Sequence, residues 1–208
     1  VEVQRRQTAG WQASLAHTEY LSNATLNGSV TYKRGTGAFS ATAAPEEQFG
    51  EAYTHVGIWQ GNASLQLPFK AGNQNLQYLA EWRMQHSQKP LTPQDRFSIG
   101  NRYTVRGFDG EQTLMADNGF LVRNELSGSM FKLPMQWYAG VDYGEVGGQT
   151  AYEPNPLADT SLMGAVVGLR GQVLQSVSYD VFAGAPLKKP DGFKTDDYTT
   201  GFSLNWMY

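Results

Sequence analysis

The sequence contains no cysteine, and only 17% of its 208 residues are charged. The absence of cysteine excludes disulfide frameworks, thiolate nucleophiles and cysteine zinc sites. A net charge of −3 leaves no broad basic field with which to bind nucleic acid. Its three histidines lie in separate segments, and neither a zinc-protease motif nor a phosphate-binding loop occurs. We therefore expect no catalytic residues, no cofactor, no metal site and no nucleic-acid partner.

Long apolar runs are also missing. No stretch of about 18 apolar residues occurs, which excludes a transmembrane helix. The first residues lack the charged and apolar parts of a signal peptide, so we expect either that one has been removed or that the chain is an internal fragment. Glycine is abundant, with 23 residues, and aromatic residues reach 12%. This composition fits a membrane β-barrel with aromatic girdles and a soluble β-sandwich about equally well.

Apolar and polar residues alternate along nearly the whole chain, which is typical of β-strands. We predict about eleven strands, at 1–8, 10–20, 24–34, 57–69, 78–85, 96–103, 120–127, 137–144, 163–170, 176–183 and 199–208. Many are long enough for a tilted strand that crosses a membrane, about 9–11 residues, whereas strands of soluble proteins are mostly about 5–6 residues long. Strand length therefore favours the membrane barrel.

The connections support the same prediction. Long connectors at 35–54, 88–95, 104–118 and 147–160 alternate with short turns near 21–23, 70–74, 131–135 and 171–173. Outer-membrane barrels have long loops at one end and short turns at the other. The sequence thus predicts an all-β fold, an antiparallel transmembrane β-barrel of the outer-membrane type.

Alternation also predicts which residues share a face. The set expected to face lipid is Trp59, Tyr78, Trp82, Trp137, Val167, Tyr179 and Trp206. The set expected to face a water-filled lumen is Gln60, Asn62, Ser64, Arg83, Arg123, Glu125 and Asp142.

One stretch carries a family resemblance. Val105-Arg106-Gly107-Phe108 resembles the V-R-G-F/Y signature of the superfamily that contains BamA and the two-partner secretion transporters. The wider context, Ser98-Ile-Gly-Asn-Arg-Tyr-Thr-Val-Arg-Gly-Phe-Asp-Gly-Glu111, resembles the secretion branch (TpsB), of the FhaC, ShlB and CdiB type. The resemblance covers essentially the whole chain.

The resemblance implies a barrel of sixteen strands whose V-R-G-F loop folds back into the lumen. We expect residues 1–208 to be the C-terminal part of this barrel, holding about the last eleven strands, without POTRA domains or plug helix. The implied function is secretion of a haemolysin, adhesin or contact-dependent toxin (a TpsA-type exoprotein) across the outer membrane of Gram-negative bacteria, without ATP or catalysis. The lipid bilayer and its lipopolysaccharide would surround the barrel.

An arginine that enters a lumen needs a carboxylate to offset its desolvation. The resemblance implies an inward aspartate as the partner of Arg106, and Gly140-Val-Asp142-Tyr-Gly144 matches the strand that carries it. The small neighbours Gly140 and Gly144 leave room for the loop, and Glu125 is a second inward acid. From periodicity alone, the simpler interpretation is that Arg106 is a solvated loop residue, as most loop arginines are; the motif favours the anchor. We expect lumen water to screen the pair partly.

The last strand ends on alternating aromatic residues. Phe202, Leu204, Trp206 and Tyr208 share one face. The resemblance implies that they form a C-terminal signal read by the barrel assembly machinery during biogenesis. An interfacial aromatic girdle explains Tyr208 as well, and the two interpretations are compatible.

Three alternative functions remain at the level of sequence. A barrel insertase of the BamA or TamA type would share the V-R-G-F signature, but the longer context favours secretion. A passive outer-membrane porin would lack that signature. A barrel phospholipase or protease would need a nucleophile and base on one face, whereas His86 and Ser87 are adjacent and point to opposite faces.

Overall fold

The computed structural model describes residues 7–130, 134–148, 160–173 and 176–207. Within these ranges it contains eleven strands: β1 (Ala9–Tyr20), β2 (Thr25–Thr36), β3 (Gly57–Ala71), β4 (Gln74–Ser87), β5 (Phe97–Ile99), β6 (Leu114–Ala116), β7 (Asn118–Ser129), β8 (Met135–Gly147), β9 (Thr160–Val173), β10 (Val177–Lys188) and β11 (Thr199–Trp206). Short 3-10 helices occur in the connections, at Ala38–Ser40, Pro45–Phe49 and Pro93–Asp95. Of the helices in these ranges, none is long and apolar enough to cross a membrane.

Nine strands form one antiparallel sheet in the order β1-β2-β3-β4-β7-β8-β9-β10-β11. Every strand pairs with its neighbour along the sequence, except where β4 pairs directly with β7. Long connections, 37–56, 88–117, 148–159 and 189–198, leave one end of this sheet, and short turns leave the other end. The expected all-β antiparallel barrel architecture is confirmed.

The remaining two strands, β5 and β6, make a separate small sheet within the connection 88–117. The predicted strand at 96–103 is therefore shorter than expected and lies outside the long sheet. After Ile99 the chain turns, because Gly100 has a φ of +101° and the Thr104 hydroxyl accepts the Gly100 N–H at 3.1 Å. Of the predicted strand 1–8, residues 1–6 lie outside the described ranges, and residues 7 and 8 are not in a strand.

The predicted turn at 171–173 is also misplaced. Gly171 pairs with Met135 on one side and Tyr179 on the other, so it is part of a strand. Strand β9 continues to Val173 before the chain reverses to Val177. Glycine in this position indicated a turn, but cross-strand pairing on both sides keeps it extended.

The register places the two predicted residue sets on opposite faces of the long sheet. The outward row Tyr32, Trp59 and His86, for example, is continuous across β2, β3 and β4. On the inner face the Gln60 amide donates to Gln85 at 2.8 Å. All five tryptophans are on the outward face, listed here by strand: Trp11, Trp59, Trp82, Trp137 and Trp206.

The connection 88–117 folds against the inner face of β7, β8 and β9. Its apolar side chains form one buried cluster with those of the wall and with Phe193 of the connection 189–198. The cluster comprises Ile99, Val105, Phe108, Leu114, Ala116, Leu121, Val146, Leu162 and Phe193. Because burial of these side chains removes apolar surface from water, it holds the connection against the wall. We refer to residues 88–117 as the internal loop.

Candidate functional site

Arg106 is the most heavily engaged side chain of the internal loop. Its guanidinium donates two parallel hydrogen bonds to Asp142 on β8, from Nε to Oδ2 at 2.7 Å and from Nη2 to Oδ1 at 2.9 Å. Its Nη1 donates to Oε2 of Glu125 on β7 at 2.5 Å. The backbone N–H of Arg106 also donates to Asp142, at 3.0 Å. A two-pronged contact of this kind holds the loop in one orientation, because both groups are planar.

The pair is buried. Arg106 is 7% exposed and Asp142 is not exposed at all. The expectation that lumen water screens the pair is therefore wrong, because the Asp142 side chain has no exposed surface. Desolvation of these charges is offset by their mutual hydrogen bonds, by the contact of Arg106 with the carbonyl oxygen of Asn124, and by neighbouring charges.

Further charges extend the network along the wall. Arg123 on β7 contacts Glu81 on β4 at 3.0 Å and lies 3.9 Å from Asp142. Arg170 on β9 contacts Oε1 of Glu125 at 2.9 Å. Within this network three guanidinium groups face three carboxylates, so the inner wall is close to neutral where the loop is attached.

Glycines on the inner face make room for the loop. They lie at inward positions of three adjacent strands: Gly140 and Gly144 on β8, Gly164 on β9 and Gly184 on β10. A Cβ at Gly164 would overlap the carbonyl oxygen of Arg106, and one at Gly140 would meet the Arg106 guanidinium. The loop itself turns at Gly107, whose φ of +98° disfavours any side chain. The backbone can thus cross the wall in direct contact with it.

A second attachment lies beyond the V-R-G-F segment. Phe108 packs edge-on against Phe193, with ring centroids 5.7 Å apart. The Asp109 carboxylate accepts the Asp196 N–H at 2.8 Å and the Thr195 hydroxyl at 3.1 Å. Although slight burial opposes this charge, the backbone N–H groups and the hydroxyl outweigh it and lower the pKa of Asp109. The internal loop is thereby tied to the connection 189–198.

The structure brings together the site residues that the sequence indicated on the loop and on β7 and β8. Val105 and Phe108 are in the buried cluster, and Arg123, Glu125, Gly140 and Gly144 line the inner wall. On β11, Phe202, Leu204 and Trp206 are exposed on the outward face, far from this network. Tyr208 lies outside the described residues.

Sequence reasoning missed Arg170, Asp109, Gly164 and Gly184. Arg170 and the two glycines have the same inward parity as Asp142, and this shared parity was the available signal. No local pattern marks Asp109, because its partners Thr195 and Asp196 are more than 80 residues away. In the part of the chain that the structure describes, no group of three or more acidic, histidine or cysteine side chains could hold a metal ion.

Comparison with known proteins identifies one matching family. Residues 1–171 match the model of the family described as haemolysin secretion/activation protein ShlB/FhaC/HecB. The chain is 37% identical over 192 residues to the outer membrane transporter CdiB-2 of Burkholderia pseudomallei (strain 1026b). It is 28% identical over 198 residues to the outer membrane transporter CdiB of Escherichia coli O6:K15:H31 (strain 536 / UPEC).

Solved structures give the same result. CdiB from Acinetobacter baumannii is 37% identical and superposes with a TM-score of 0.84 over 100% of this chain and 35% of that chain. CdiB from Escherichia coli is 26% identical, with a TM-score of 0.85 over 97% of this chain and 37% of that chain. The matched region covers 91% of this chain but only 32% of CdiB-2, so the chain spans about a third of the length of the curated relatives it matches.

Proposed function

Because this chain belongs to the haemolysin secretion/activation protein family ShlB/FhaC/HecB, we propose that it forms part of an outer-membrane β-barrel that exports a partner protein by two-partner secretion. Residues 1–208 contribute a C-terminal portion of the barrel wall and the internal loop. The activity requires no cofactor and no catalytic residue. The exported partner is a large exoprotein of the haemolysin, adhesin or contact-dependent toxin type.

The observation that carries this proposal is the buried attachment of Arg106 to Asp142 and Glu125. A loop held inside a barrel by a buried ion pair occupies the route that an exported chain must take. A passive porin would show a constriction loop with facing acidic and basic clusters, but it would lack the V-R-G-F anchor. The anchor formed by Val105, Arg106, Gly107 and Phe108 therefore supports a regulated export route over free diffusion.

The outward face supports a location in the outer membrane. Large apolar side chains are exposed along it, among them Trp59, Val167, Phe202 and Leu204. Lipid, including lipopolysaccharide, is the environment in which such a face is stable. The outward residues Phe202, Leu204 and Trp206, together with Tyr208, act as the signal that the barrel assembly machinery reads.

The decisive experiment expresses the full-length transporter that contains this sequence together with the exoprotein encoded beside its gene. We expect the exoprotein in the medium only when both are present. Arg106→Ala should leave the transporter in the outer membrane and reduce the amount of secreted exoprotein at least about ten-fold. A ten-fold change corresponds to a free-energy difference of about 1.4 kcal/mol. Equal secretion without the transporter would contradict the proposed function. Leakage of small solutes with no exoprotein export would instead indicate a porin.

A further inference from the structure

Beside the Arg106 anchor, on the side of the short turns, the inner wall carries a group of arginine and aromatic side chains that the anchor does not use. They are Arg102 and Tyr103 of the internal loop, Tyr138 on β8, Arg170 on β9 and Phe182 on β10, and we call them the arginine–aromatic patch. They border a cavity of about 200 Å³. The register places Tyr138, Gly168 and Phe182 in one row, so the glycine leaves the two rings side by side.

Cations lie over both rings. The Arg102 guanidinium is 4.9 Å from the centroid of Phe182, and the Arg170 guanidinium is 5.2 Å from the centroid of Tyr138. A guanidinium that stacks on a ring by its face can still donate hydrogen bonds from its edge. The patch therefore presents N–H donors to the lumen on an aromatic base.

The two arginines differ in their ion pairs. Arg170 is already paired with Glu125. Asp180, the nearby acid, accepts the hydroxyl of Tyr138 at 2.8 Å. Arg102 is stacked on its rings but makes no ion pair with any carboxylate in the described ranges. Arg102 is thus the one arginine of the patch whose N–H groups are not engaged by a carboxylate of the described residues, although Asp180 lines the same cavity.

Tyr103 is open to the lumen. It is 71% exposed, whereas its neighbours Arg102 and Thr104 are half-buried. An exposed tyrosine next to an unpaired arginine suits recognition of an extended polypeptide: the ring packs on apolar side chains, and the guanidinium binds backbone carbonyls and carboxylates. On the neighbouring strand β11, the inward positions Ser203 and Asn205 carry small neutral groups.

We propose that the arginine–aromatic patch is a contact site for the exported chain in transit, with Arg102 and Tyr103 binding extended segments that carry carboxylate and apolar side chains. This inference rests on the proposed export function. It assigns a role to two residues whose side chains contribute nothing to the buried anchor. The order of contacts would run from the short-turn end of the barrel past Tyr103 to the anchored loop.

The test uses the full-length transporter with its exoprotein stalled by a fused, disulfide-locked domain. A photo-crosslinking amino acid is placed at position 103, at position 203 on the inner wall, and at position 198. Tyr198 is the matched control, because it is 73% exposed but lies in the connection 189–198. We expect crosslinks to the exoprotein from positions 103 and 203 and none from 198.

Secretion is then compared for the double variant Arg102→Gln, Tyr103→Ser and for Tyr198→Ser. Loss of two exposed contacts should slow secretion about five-fold, with unchanged transporter in the outer membrane, whereas Tyr198→Ser should secrete at the original rate. A crosslink from 203 without one from 103 would overturn the patch and leave the export function standing. Absence of secretion by the unmodified transporter, with no crosslink from 203, would overturn both.

Discussion

At the scale of single residues, the charges on the inner wall are placed so that each of the two carboxylates that hold Arg106 has more than one cation. Asp142 is contacted by Arg106 and lies 3.9 Å from Arg123, and Glu125 is contacted by both Arg106 and Arg170. If the internal loop moves during export, each acid keeps a cation of the wall. The penalty for a bare buried charge is then reduced, which permits reversible release of the loop.

Replacement of Arg106 should show how far the remaining arginines, Arg123 and Arg170, stabilise the buried carboxylates. We expect Arg106→Ala to lower the free energy of unfolding by an amount near the lower end of about 3–5 kcal/mol, the range for a broken buried pair, because Asp142 is fully enclosed but Arg123 remains 3.9 Å away. Arg106→Lys should recover little, since an ammonium cannot make the two-pronged contact. Urea unfolding of the full-length barrel in lipid vesicles checks both. Arg83→Lys is the control, because Arg83 is exposed on the inner face of β4. If Arg106→Ala lowers the free energy of unfolding by less than about 1 kcal/mol, Arg123 already neutralises Asp142.

The inward glycines give a second prediction at this scale. Gly164→Ala places a Cβ on the carbonyl oxygen of Arg106, so the loop must shift, at a cost of about 1–3 kcal/mol. Gly28→Ala is the matched control, because no atom lies within 4 Å of the added Cβ. Unfolding and secretion should both be impaired for Gly164→Ala alone. If the two variants behave alike, the loop does not contact β9.

At the scale of elements, the internal loop has two attachments of different chemistry. The Arg106 attachment is buried and ionic, whereas the Asp109 carboxylate accepts one backbone N–H and one hydroxyl of the connection 189–198 near solvent. The second can open without exposing a buried charge. We therefore expect the end of the loop near Asp109 to move more readily than the end near Arg106.

The Asp109 attachment should depend on pH. Because folding lowers the pKa of Asp109, its stabilisation is present above the ordinary carboxyl value of about 4 and is lost as the pH falls through the lowered pKa. Hydrogen exchange of the Asp196 amide, compared with Asp109→Asn at each pH, measures this. Protection relative to that variant should disappear on acidification. If the ratio of the two Asp196 exchange rates, original protein to Asp109→Asn, does not change with pH, the Asp109 carboxylate does not hold the connection 189–198.

The last strand provides another prediction for an element. Leu204 is on the outward face of β11 and Ser203 is on the inner face. A lysine at 204 would enter lipid, at a cost of about 2–4 kcal/mol at the bilayer midplane and less near the interface. We expect Leu204→Lys to reduce the amount of assembled barrel in the outer membrane and Ser203→Lys to be tolerated. If Ser203→Lys is the more damaging of the two variants, Ser203 and not Leu204 faces lipid.

At the scale of the whole molecule, the sheet has an apolar outward face bounded by aromatic clusters. Trp11, Tyr32 and Trp59 pack together near the long connections, with adjacent ring centroids 5.5 and 4.7 Å apart. Trp137 and Trp206 lie near the short turns. Aromatic rings at both ends of a spanning sheet are expected where lipid head groups meet the protein.

Fluorescence quenching can test this arrangement. In single-tryptophan variants of the full-length barrel, we expect lipids with brominated acyl chains to quench Trp59, Trp82 and Trp206 strongly. A tryptophan introduced at Ser64, on the inner face, should be quenched by an aqueous quencher instead. Equal response of Trp82 to both quenchers would place it in water or in a protein interface.

Much of this architecture could be predicted from local patterns. A side-chain period of two fixes which residues share a face of a strand, whatever the strand pairs with. Asp142, Glu125 and Arg123 could thus be assigned to one face, and Trp59 and Trp82 to the other. The same reasoning could not locate the end of β9, because Gly171 suits both a turn and an extended strand.

Other features depended on tertiary structure alone. The register of the strands decides which inward residues meet: the register that pairs Arg123 with Asp142 also places Glu125 opposite Gly140. A slip of one residue would move every side chain of the strand to the other face. Residues 97–99 alternate like a wall strand, but they leave the wall because burial against β7 and β8 is available only after those strands have paired. By itself, the sequence determined the nine strands of the long sheet apart from some of their ends, their faces and the arginine motif, since these are local. Only the folded sheet decided that Arg106 has two acids, that its site is dry, and that Asp109 joins a connection more than 80 residues away, because these contacts exist only once distant strands are in register.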